Sequence, residues 1–102
     1  MGTSRRYADK VDRQMDARIL ERISRDGELQ SLTREELELD RLPLTIDPHP
    51  QRCKAWVRFG STAMQVDAVA DRWTPRAIGI RFDVAGQEAR TWVWASAVER
   101  GV

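Results

Sequence analysis

Hydrophobic positions change period partway along this chain. In the first quarter Tyr7, Val11, Met15, Ile19 and Ile23 recur every four residues, with Ala8 and Leu20 beside them. That is the spacing of one face of an amphipathic helix. Thr3 or Ser4 can cap its start, and Gly27, able to take a left-handed cap conformation, can stop it after Asp26. The pattern predicts a long helix over 3–26, with a broad, slanted stripe interrupted by Arg18 and Arg22 rather than a coiled-coil seam. Thr33-Arg34-Glu35-Glu36 is a capping box, in which hydroxyl and carboxylate satisfy each other's free amides. It predicts a short second helix from Arg34 to Leu39 or Asp40. Leu29, Leu32, Leu37 and Leu42 would pin this helical hairpin to an apolar surface. Pro43 ends the helix, and Pro48-His49-Pro50 reads as a stiff connector.

Beyond the connector the period becomes two. Ala55, Val57 and Phe59 alternate with Trp56 and Arg58, and Gly60-Ser61 turns the chain into a strand where Met64, Val66, Ala68 and Ala70 alternate with Gln65, Asp67, Val69 and Asp71. After Thr74-Pro75-Arg76, Ile78, Ile80, Phe82 and Val84 share a face opposite Gly79, Arg81 and Asp83. A tight hairpin at Ala85-Gly86-Gln87 leads into Ala89, Thr91 and Val93 against Arg90, Trp92 and Trp94. Ala95-Ser96-Ala97 is long enough for one helical turn before a last strand, Val98 to Val102. The expected organisation is a helical segment over 1–42, a connector over 43–51 and a β-domain over 52–102, all one folding unit.

Five short strands, with a tight hairpin before the fourth and a helical turn before the fifth, resemble the small SH3-like barrels over about half the chain. The resemblance implies an α+β fold, with the helical hairpin packed on a closed five-stranded antiparallel barrel. Barrels of this kind bind peptides, modified tails, RNA or protein surfaces, so the fold alone selects no function. The chain lacks the acidic first loop and paired tyrosines of peptide-binding SH3 domains, which disfavours polyproline recognition.

Composition narrows the classes further. With 41% hydrophobic and 32% charged residues in 102, the chain has the make-up of an ordinary globular domain. It contains no apolar run of the roughly 20 residues that span a bilayer. A lone cysteine, Cys53, forms no internal disulfide and no thiolate cluster, which fits a reducing, cytoplasmic setting and leaves no metal or cofactor expected. Residues 1–51 carry nine basic and eleven acidic side chains and 52–102 carry eight and five, so a net −2 precedes a net +3. This is a mild hint of an anionic partner for the second half.

Candidate chemistry centres on the tryptophans, all four of which lie in the second half. Trp92 and Trp94 share a strand face with Arg90, and Trp56 shares one with Arg58. If the faces coincide, they form an aromatic platform flanked by guanidinium groups. The competing reading is that the indoles cover the stripe of the first helix, with Trp73, at a loop edge, the most exposed. His49, Asp47 and Cys53 are close in sequence, yet a proline-flanked connector is poorly suited to hold a catalytic pair. Asp67, Asp71 and Asp83 read as solvated strand positions paired with Arg81 and Arg90. The expected function is a non-enzymatic protein-interaction module using Trp73, Arg76, Arg90, Trp92 and Trp94. The alternative is nucleic-acid binding through Arg52, Lys54, Arg58, Arg76 and Arg81 with a stacking tryptophan. The helical stripe would also suit a homodimer interface.

Overall fold

A computed structural model describes residues 17–100. Residues 17–23 form a helix, α1, and Arg34–Leu37 a second, α2. The rest is dominated by β1 (Thr45–Phe59), β2 (Thr62–Trp73), β3 (Ala77–Val84), β4 (Gln87–Trp94) and β5 (Val98–Arg100), with a 3-10 turn at Ala95–Ala97. The strands form one antiparallel sheet in the order β4-β3-β2-β1-β5. It does not close. No ladder joins β4 to β5 among the described residues, so the expected barrel is replaced by an open sheet. β5 pairs only with Cys53–Ala55 of β1, and residues 101–102 of the expected last strand lie outside the described residues.

The described residues do not form the expected helical hairpin. α2 has its capping box, with Glu36 N–H donating to Thr33 Oγ1 at 3.1 Å and Thr33 N–H to Glu36 Oε1 at 2.9 Å, but it ends after a single turn. The part of the long helix expected before residue 17 lies outside the described residues. Gly27 does not take the left-handed conformation; its role is close approach. A Cβ on Gly27 would lie 2.7 Å from Gly60 Cα, so the exit from α1 crosses backbone to backbone over the β1–β2 turn. Gly60 itself has φ +61°, as the first residue of a two-residue turn between Phe59 and Thr62. Thr62 Oγ1 donates to Asp26 Oδ2 at 3.1 Å across the same crossing.

What spans the open side is a strap of extended chain over residues 28–32. Gly60 N–H donates to Glu28 O and Gln30 N–H to Arg58 O, while Leu32 N–H donates to Trp92 O and Thr91 Oγ1 to Gln30 O. The strap thus ties the end of β1 to β4 through backbone groups that would otherwise lack partners.

One face of the sheet is the core. Ala55, Val57 and Phe59 of β1 meet Val66, Ala68 and Ala70 of β2, Ile78, Ile80 and Phe82 of β3 and Val93 of β4, and Leu20 of α1 packs onto them. Phe59 and Phe82 meet edge to face at 6.4 Å. Aliphatic side chains and phenylalanines therefore receive α1, and the tryptophans do not form its cover, with only Trp73 packing against the core.

Residues 45–51, read above as connector, continue β1. Pro48 and Pro50 are tolerated because the register with β2 slips between Ile46 and Gln51 and β5 reaches only Cys53–Ala55, so no ladder needs their missing donors. Asp47 organises the irregular stretch, its carboxylate accepting from His49 N–H at 2.8 Å and Gln51 Nε2 at 3.1 Å.

Candidate binding surface

The outer face is built by register. In the β3–β4 hairpin Gly79 stands opposite Trp92, Arg81 opposite Arg90 and Asp83 opposite Glu88. Directly opposed like charges repel unless a carboxylate intervenes. Glu88 provides it, accepting from Arg81 at 3.2 Å and Arg90 at 3.1 Å. Those two hydrogen bonds, Arg90's foremost, hold the Glu88 carboxyl below its usual pKa. Asp71 continues the chain, accepting from Arg72 Nε at 3.2 Å and lying 3.7 Å from Arg81 Nε. Arg81 Nε is itself buried and has no hydrogen-bond acceptor among the described residues.

Gly79 allows the next contact. A Cβ there would come within 2.5 Å of Arg72 Cγ and 3.5 Å of Trp92 Cε2, so its absence lets the Arg72 stem lie beside the indole. Ser31 of the strap accepts from Trp92 N–H at 3.1 Å. Ser31, Arg72, Arg81, Arg90 and Trp92 thereby line a hollow of about 120 Å³.

The same end of the sheet is apolar. Ile46 pairs with Arg72 in the Trp92 row and is 65% exposed, while Trp94, opposite Ala77, is 41% exposed. Leu44 and Leu39, in the segment entering β1, are exposed as well. Arg76 lies beside them, bonded to Glu38 at 3.0 Å.

The residues expected to act together are divided. Arg90, Trp92 and Trp94 share the outer face. Trp73 is on the core face, half-buried, with the Arg100 guanidinium 4.8 Å above its ring. It is therefore not the most exposed indole, a place held by Trp56 and Trp94. The register slip between Ala70 and Arg72 causes this, because one extra residue reverses the alternation. Trp56 and Arg58 do lie on the outer face, yet Trp56 pairs with Gln65 of β2 and Ile46 with Arg72, seven residues apart along that strand, on the order of 20 Å. The platform expected from both tryptophan groups is thus not assembled.

Of the basic set, Arg52 and Lys54 lie on the outer face of β1, with Lys54 between Asp67 and Glu99. Arg81 is held by Glu88, and Arg76 by Glu38. Asp67, Asp83, Glu88 and Glu99 line an open cleft of about 680 Å³ together with Arg52, Lys54, Arg81 and Cys53, so its carboxylates outnumber its cations by one. Burial pushes the Cys53 thiol pKa up, against the pull of Arg100, so it is protonated at neutral pH. His49 is exposed and meets Asp47 through its backbone N–H. No metal-ligating group of three or more side chains occurs among the described residues, and no helix there is long and apolar enough to cross a membrane.

Arg72, Glu88, Gly79, Ser31 and Ile46 were not legible as one group. The signal for Glu88 was available: a two-residue turn at Ala85-Gly86 sets Arg81 against Arg90 and makes a neighbouring carboxylate necessary. No protein-family model, curated protein or solved structure matches the chain.

Proposed function

We propose that this protein is a non-catalytic protein-interaction module that binds through the end of the outer sheet face bearing Arg90, Trp92 and Trp94. The observation carrying this reading is the exposure of Leu39, Leu44, Ile46 and Trp94 at one end of the sheet, beside arginines fixed by ion pairs. Trp and Arg are the side chains that contribute most at interface hot spots, because they bury large area while keeping directional donors. A cytoplasmic setting belongs to the same proposal and rests on the lone buried thiol.

The carboxylates of Asp67, Asp83, Glu88 and Glu99 weigh against nucleic acid as the partner, since a phosphate chain leaving the arginines would run into them. An Ile46→Ser, Trp94→Ser double variant tests the reading. Both side chains are exposed, so the melting temperature should change by only a few degrees. Partners captured by the wild-type protein should be retained at least about tenfold less well. Equal retention of every partner would remove this surface from consideration.

A further inference from the structure

The hollow beside Trp92 has an unmet requirement. Arg72 spends its Nε on Asp71, Arg90 spends its Nε on Glu88, and Arg81 uses one terminal nitrogen on Glu88. The terminal nitrogens of Arg72 and Arg90 have no protein acceptor among the described residues, and the buried Arg81 Nε makes no hydrogen bond there, its nearest carboxylate oxygen, on Asp71, standing off at 3.7 Å. A buried donor without an acceptor is costly, so a group that supplies oxygen lone pairs there is stabilised. Three guanidinium groups against the carboxylates of Asp71 and Glu88 leave a net positive charge around the hollow of about 120 Å³.

We propose that this hollow is an anchor subsite for a single carboxylate of a protein partner, an Asp or Glu side chain flanked by apolar residues. Arg72 and Arg90 grip the carboxylate from the rim, the flanking residues lie on Trp92, Trp94 and Ile46, and the partner runs as an extended acidic-hydrophobic segment. The proposal rests on the protein-interaction reading and adds the chemistry of the partner. A single acid fits better than a polyanion because the row of Arg52, Val69, Arg81 and Arg90 is followed on the same face by one in which Lys54 is outnumbered by Asp67, Asp83, Glu88 and Glu99. Charge complementarity thus ends after one anion.

The test is selection from a random-peptide phage library, with a single-stranded oligonucleotide pool panned in parallel. Enriched peptides should share one Asp or Glu beside aromatic or aliphatic residues. Against an Arg72→Gln, Arg90→Gln variant, which changes one partly buried and one exposed arginine, the best wild-type peptide should bind about tenfold more weakly and reselection should lose the acid while keeping the apolar positions. An Arg81→Lys variant keeps the charge but lacks the Nε donor, and should weaken the acidic peptide several-fold without affecting an acid-free one. The Arg81 Nε–Hε resonance of the wild-type protein should shift on titration with the selected peptide. Enriched peptides without an acid, or an unmoved Arg81 resonance, would overturn the carboxylate anchor and leave the interaction reading standing. No enriched peptide, with or without tight oligonucleotide binding, would overturn both.

Discussion

Phe82→Ala is expected to cost about 3–5 kcal/mol of folding stability, a large share of the roughly 5–15 kcal/mol that holds a domain together. The reason is the way the core face is filled. The middle of β1 and β2 presents small side chains, with Ala55 and Ala70 fully buried and Ala68 nearly so, and the rings of Phe59 and Phe82 occupy the space these leave. Removing one ring deletes its contacts and leaves a void that alanines on rigid strands cannot reach to fill. Urea denaturation should show a sharply lowered midpoint with an unchanged slope. A cost below about 1 kcal/mol would mean that the face collapses around the loss and is not packed as described.

Gly27→Ala should also destabilise, by about 1–3 kcal/mol, where a glycine of ordinary backbone angles outside a tight contact would gain about 0.4–1 kcal/mol from the same change. The sign is decided by Gly60. The added methyl would meet backbone atoms at 2.7 and 2.8 Å, which cannot swing aside as a side chain does, so α1 and the strap must lift from the β1–β2 turn. Amide exchange should accelerate at Gln30 and Gly60, whose N–H groups bind across that junction, before it accelerates in the β3–β4 ladder. A stabilised protein with unchanged exchange would show that the crossing is loose.

Both expectations depend on features that pattern alone conveyed unevenly. Alternation located β2 and β4 through their alternately buried and wetter positions and β3 through its apolar row Ile78, Ile80 and Phe82, although Ala77 and Gly79 on the other face of β3 are buried too. The Ala85-Gly86 turn, with both residues at positive φ, fixed the register of the last hairpin. Strand order and loop placement suggested a barrel, but they constrain which strands are neighbours and say little about closure. Closure would need β4 to pair with β5; among the described residues β5 pairs only with β1, and the strap ties β1 to β4. The strap was illegible because Leu29 and Leu32, three apart, suit a helical turn as well as an extended chain laid across two strands. Pro48 and Pro50 mark an irregularity, which is a slip in register inside β1 where a connector is expected. At the candidate surface, Arg90, Trp92 and Trp94 could be grouped by strand parity, whereas Trp73 could not, since a single extra residue near Asp71 turns it inward.

The central claim is that the outer face at the Trp94 end receives the partner while the opposite face is occupied by the protein's own core. Hydroxyl-radical footprinting of the four tryptophans, alone and with a selected peptide bound, tests it most directly. The free protein should be oxidised fastest at Trp56 and Trp94 and more slowly at Trp73, and the peptide should protect Trp92 and Trp94 while leaving Trp56 unchanged. Slow oxidation of Trp94 in the free protein, or protection of Trp56 in its place, would contradict the account.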